Sequence, residues 1–244
     1  MTDLQRVQLD GLMLKHTKNQ THDLCLAAVK GNGYALEFVK NQTPEICLAA
    51  VKQNGLSLKF VKEQTYELCL TAVKEDGNAL DFVKEQTYEL CLAAVKEDSW
   101  ALRYVRNQTE ELCLKVVQQN GYAVKFVKDQ TYKVRLAAVR QIGWALQHIE
   151  NQTDEICLEA MKESIWAFQF IKNQTTEMCL ASIKQDGNNL LYVKNQTPEI
   201  CLAAIRQNKD ALQFVQDEYK FLFEEKYKGL SFDEIKAKVP ELFL

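Results

Sequence analysis

Apolar residues recur along this chain in two alternating blocks. A continuous run such as Leu90-Cys91-Leu92-Ala93-Ala94-Val95 is followed, after a polar break, by a shorter cluster such as Ala101-Leu102 with Tyr104-Val105. The whole pattern repeats every 22 residues, marked by Thr21, Thr43, Thr65, Thr87, Thr109, Thr131, Thr153, Thr175 and Thr197. Self-similarity at one short period is the signature of a stack of supersecondary units, none of which can bury its apolar face alone. The pattern predicts an all-α fold, an α-solenoid of two-helix 22-residue repeats with terminal caps. Residues 1–20 read as a degenerate N-terminal repeat, 21–218 as nine tandem repeats and 219–244 as a C-terminal helical cap.

With the threonine as position 1, the local chemistry agrees. Threonine suits a helix N-cap, and Pro44 and Pro198 stand at the first helical position, which tolerates proline. Glutamates such as Glu45 and Glu67 meet the positive end of the helix dipole, and lysines such as Lys52 and Lys74 the negative end. An Asn-Gly or Asp-Gly step at positions 12 and 13 is expected to close this helix and turn the chain. A second, shorter helix carries Ala-Leu-x-Phe-Val and leaves positions 14 and 17 outward. The glutamine before each threonine, Gln42 and its equivalents, is expected to satisfy backbone groups of adjacent turns rather than to do chemistry.

Composition narrows the function classes. A net charge of −3 over 244 residues gives no global attraction to nucleic acid or acidic lipid. No apolar run is long enough to span a bilayer, so no membrane partner is expected. The eight cysteines fall at most once per repeat, all at position 5. Stacked helices place equivalent positions roughly 8–10 Å apart, beyond disulfide reach of about 7 Å. Buried free thiols are expected, which points to the cytosol. No cofactor, metal cluster, phosphate-binding glycine loop or nucleophile–histidine pair is evident, so the chain reads as a non-enzyme; His16 and His148 occupy a position that is normally Phe.

The unit Asn-Gln-Thr-x-Glu-Leu-Cys-Leu-Ala-Ala-Val-Lys, followed by Gly-x-Ala-Leu-x-Phe-Val-Lys, resembles the DUF4116 family of short tandem helical repeats of unknown function. The likeness runs from residue 11 to about 216. It implies a helical solenoid that acts as a binding module, with no catalytic residues to carry over. Repeat six departs from the pattern with Lys133 and Arg135 at the Glu and Cys positions, and repeat seven has Ile165 in place of glycine.

Individuality in such an array lies at the variable exposed positions. All three tryptophans, Trp100, Trp144 and Trp166, stand at position 14, where Tyr122 also stands; Arg103, Lys125, Gln147 and Gln169 occupy position 17 of the same repeats. Together with Lys133 and Arg135 these form a candidate partner-binding stripe of aromatic and basic groups, the residue types that anchor protein interfaces. The competing reading packs each aromatic across its own inter-repeat groove. Arg135 is expected to reach solvent or to pair with a carboxylate such as Glu159. The functional expectation is a protein-binding solenoid, an adaptor or a stoichiometric inhibitor; a nucleic-acid-handling defence complex is one target of that kind. The alternative is direct nucleic-acid binding, with the position-20 cations (Lys40, Lys62, Lys84, Arg106, Lys128) tracking phosphates and aromatics stacking on bases. Phe221, Phe223, Phe232 and Phe243 allow a homodimer through the C-terminal segment.

Overall fold

The structure, a computed structural model, describes residues 2–223 together with Glu234 and Ala237. It divides into two compact units, Met1–Val134 and Arg135–Leu244, the division falling inside the α-helix Tyr132–Gln141 of repeat six. Within each unit the architecture is a helical-repeat solenoid, and no strand occurs among the described residues. A repeat consists of an α-helix such as Tyr88–Glu97 and a six-residue 3-10 helix such as Ser99–Tyr104. Ahead of repeat one, the α-helix Asp3–Leu9 and the 3-10 helix Gly11–His16 make a shortened repeat, its start capped reciprocally by Thr2 and Gln5. The expected terminal helix around 231–235, Phe232 and Phe243, and the side chains of Phe221 and Phe223 lie outside the described residues, and with them the dimer reading.

Threonine caps the α-helix as its chemistry demands: Thr87 Oγ1 accepts from the N–H of Leu90 at 3.3 Å. The other end closes at the expected Asn-Gly or Asp-Gly step, by a geometry of its own. Position 12 is not followed by a left-handed glycine; Asn54 is extended, at φ −156° and ψ 113°, and caps two helices at once. Its backbone N–H closes the α-helix on Ala50 O at 2.9 Å, and its side-chain oxygen accepts from the N–H of Leu56 at 3.0 Å. The glycine at position 13 serves close approach instead. A Cβ on Gly77 would lie 2.6 Å from the carbonyl oxygen of Ala94 in the next repeat, far inside van der Waals contact.

The second helix is 3-10 rather than α, and the reason lies outside it. Six-residue 3-10 runs are uncommon because their own hydrogen bonds are poor. Here the glutamine ahead of the repeat claims the backbone groups that would continue an α-helix. Gln64 Nε2 donates to Phe82 O at 2.9 Å, and its Oε1 accepts from Lys84 N–H at 2.9 Å and from the Cys69 thiol at 3.6 Å. The first two bonds close 18- and 20-residue separations, tying the front of each repeat to its back. Three residues per turn then eclipse positions 14 and 17 as an outward row and turn Ala79, Leu80 and Val83 inward, where they are buried against Leu68, Cys69, Ala72 and Val73. All eight cysteines are free and buried.

Candidate interface on the 3-10 faces

In the first unit, Trp100, Arg103 and Lys125 converge on Phe126, a residue of the second helix's apolar stripe. Trp100 meets its ring edge-on at 5.2 Å between centroids. The Arg103 guanidinium lies 5.4 Å from the Phe126 centroid and 5.2 Å from that of Tyr104, and its Nε donates to Trp100 O at 3.1 Å. Lys125 Nζ stands 5.8 Å from the same Phe126 ring. Tyr122 is half-buried one 3-10 turn before Lys125. Cation–π attraction and the eclipsed i, i+3 geometry hold these groups in place before any partner arrives.

The second unit repeats the construction without the charge. Trp144 meets Phe170 edge-on at 5.2 Å. Gln147 and Gln169 fold back so that each Nε2 donates to the carbonyl of the tryptophan three residues earlier, at 3.1 and 3.0 Å. Leu191, at position 17 of repeat eight, is 56% exposed on the same row of that unit. Trp100 and Trp144 therefore pack across the inter-repeat groove, and all three tryptophans remain accessible: Trp100, Trp144 and Trp166 keep 39%, 37% and 46% of their surface exposed.

Lys133 and Arg135 do not join these faces. Lys133 lies at the N-terminal end of its helix, 3.8 Å from Glu110 at the start of the preceding one. Tyr122 lies beyond the far end of that preceding helix, about 15 Å of helical rise away. Arg135 likewise sits near a helix start and donates to the Asn151 carbonyl; its Nε is buried without a partner. The expected Arg135–Glu159 pair does not form, because Arg140 and Lys162 hold Glu159 at 2.8 and 2.6 Å and pull its carboxyl below the usual range. Arg135→Cys, which restores the residue of the other eight repeats, is expected to raise stability by about 1 kcal/mol by removing a buried unpaired N–H. A drop in denaturation midpoint would show that the Asn151 bond outweighs that penalty.

The position-20 cations are inter-repeat staples. Lys84 Nζ donates to Lys62 O at 2.7 Å, Arg106 to Lys84 O at 2.8 Å and Val83 O at 2.9 Å, and Lys194 to Lys172 O and Ile171 O at 3.0 and 2.8 Å. They rim grooves at the helix starts, one of about 520 Å³ lined by Lys40, Gln42, Thr43 and Lys62. Their ammonium and guanidinium groups donate to backbone carbonyls, a structural role for the ladder. No cluster of three or more metal-ligating side chains occurs among the described residues, and no described helix is long and apolar enough to cross a membrane.

One further polar cluster forms at a departure from the repeat consensus. Lys115 stands where most repeats carry alanine, and its Nζ donates to Glu111 at 2.7 Å and to Tyr88 Oη at 2.9 Å; Tyr88 in turn donates to Glu111 at 3.1 Å. The clasp bridges the α-helices of repeats four and five.

The family described as a domain of unknown function (DUF4116) matches residues 21–65, 43–87 and 176–220. Each match spans two repeats and begins at the capping threonine or one residue after it. No curated protein and no solved structure matches the chain.

Proposed function

We propose that this array of DUF4116 repeats is a non-enzymatic protein-binding solenoid, an adaptor or stoichiometric inhibitor that engages its partner through the 3-10 faces. The carrying observation is that every tryptophan of the chain stands at position 14, is held by the next repeat's phenylalanine or by its own position-17 side chain, and still leaves more than a third of its surface to solvent. Rigid, half-exposed aromatics beside an immobilised guanidinium are what binding hot spots are made of. In the first unit Arg103 and Lys125 suit an acidic partner surface; in the second, Trp144, Trp166 and Leu191 suit an apolar one.

The test is capture from source-cell lysate, with and without nuclease, by the native chain and by Trp100→Ala/Trp144→Ala/Trp166→Ala. Each truncation at a hot spot is expected to weaken binding by about 2 kcal/mol, about thirtyfold. Circular dichroism must show both chains folded. A captured protein lost in the variant and unaffected by nuclease supports the reading. Capture that disappears with nuclease and falls steeply with salt would transfer the function to nucleic acid. Equal capture by the variant would reduce the aromatic faces to packing.

A further inference from the structure

Adjacent repeats close on each other by one device. The position-13 backbone of one repeat presses against the position-8 carbonyl of the next. A Cβ would lie 2.5–2.6 Å from that oxygen at Gly33, Gly77 and Gly187, and closer still at Gly11, Gly55 and Gly143. The carbonyl cannot retreat cheaply, because it also accepts the N–H that ends its own helix, as Ala94 O does from Asp98 at 2.9 Å. Glycine at position 13 is therefore the condition for a closed seam.

Two seams lack it. Ser99 faces Val116 between repeats four and five, and Ile165 faces Ser182 between repeats seven and eight; position 8 is alanine at each of the glycine seams named above. The geometry responds at these two places. At each of those glycine seams, a 3-10 helix lies against the following α-helix over most of its length. At the Ser99 and Ile165 seams it touches that helix over about half as much or less, and the α-helices of repeats four and five barely meet. The groove between the α-helices of repeats four and five, about 210 Å³, reaches the core valines Val95 and Val116, whereas the wider one of about 450 Å³ between those of repeats one and two stops at the half-buried Leu26, Leu48 and Ala49. At the helix starts the Tyr88–Glu111–Lys115 clasp holds that seam shut, so it is pinned at one end and parted at the other.

We infer that each unit is articulated at one seam, four/five in the first and seven/eight in the second, where a side chain at position 13 holds neighbouring repeats apart and lets them rock. Interface energy in a repeat array is a sum over nearest neighbours, so the seam with least buried surface opens first. The residue after each wedge is a tryptophan, Trp100 after Ser99 and Trp166 after Ile165. Rocking therefore changes the spacing between Trp100 and the Phe126 ring, and between Trp166 and Leu191. The faces are adjustable within each unit, whatever they bind.

Hydrogen exchange of the free full-length chain tests this without a partner. Amides of Glu110–Gln119 and Thr176–Gln185 are expected to exchange about tenfold faster than those of Pro44–Gln53 and Tyr66–Glu75, in the manner of local opening. Ser99→Gly/Val116→Ala and Ile165→Gly/Ser182→Ala are each expected to slow exchange about tenfold in the helix after the altered seam and nowhere else. Gly77→Ser/Ala94→Val is expected to accelerate exchange in Tyr88–Glu97; should that variant not fold, the two closing pairs decide. Uniform protection across all seams of the native chain, or closing pairs that leave local exchange unchanged, would overturn the inference.

Discussion

Gln86→Leu is expected to lower the free energy of unfolding by about 3 kcal/mol. The side chain is nearly isosteric, so what is lost is hydrogen bonding. Gln86 Nε2 donates to Leu80 O at 3.1 Å and Tyr104 O at 2.9 Å; its Oε1 accepts from Arg106 N–H at 3.0 Å and from the Cys91 thiol at 3.8 Å. Each backbone group left unpaired in a partly dry site costs about 1–3 kcal/mol, and no other side chain is placed to replace the amide. The 3-10 helix Ser99–Tyr104 carries Trp100 and loses the brace at its end, so the same variant is expected to loosen the first unit's aromatic face. Urea denaturation followed by circular dichroism measures the change. A loss below about 1 kcal/mol would mean that water satisfies these groups, and that the ladder sets conformation without much stabilising it.

Stability is expected to collapse as the pH rises from about 9, the ordinary value of the cysteine thiol, toward about 11. Burial raises the thiols of all eight cysteines, those of Cys113 and Cys157 to about 11 and that of Cys201 to about 12. Lys62 and Lys84 partly oppose the shift at Cys47 and Cys69, while Asp129 and Asp154 add to it at Cys113 and Cys157. The folded chain therefore keeps protons that the unfolded chain releases. Its stabilising contribution is complete below the unfolded thiol value and is lost as the pH climbs through the folded values. Because the same position titrates in repeat after repeat, small terms add into one steep alkaline transition. Ultraviolet thiolate absorbance should rise together with unfolding, and Cys91→Ala/Cys113→Ala should move the midpoint upward. A midpoint unmoved by those replacements would assign the transition to tyrosine or lysine instead.

The groups that carry these two effects differ in how visible they were. The cysteine row was legible because a thiol in the middle of an apolar helix has one natural place, the core. The glutamine row announced a structural role by its regularity, yet not its partners, which lie 18 and 20 residues ahead and meet it only when the repeat folds back. The position-20 lysines read as a phosphate ladder or as solvated dipole partners. They are staples to carbonyls one repeat behind, contacts that exist only once the repeats are stacked. Phe126 is one more phenylalanine of the repeated Ala-Leu-x-Phe-Val stripe by sequence, and stacking makes it the centre of the first unit's aromatic face.

What the sequence by itself determined is therefore everything that depends on neighbours along the chain. That includes the period of the array, the threonine caps, the buried rows and the placing of all three tryptophans on outward positions. Capping and amphipathic periodicity are local physics, and nine copies leave little ambiguity in them. Tertiary structure alone decided the rest. It set the 3-10 geometry of the second helix, the bond of Arg135 to Asn151 rather than Glu159, and the closed or parted state of each seam. Those outcomes turn on whether one atom, a Cβ or an amide, fits against a backbone group of the neighbouring repeat. That fit exists only once the repeats are stacked.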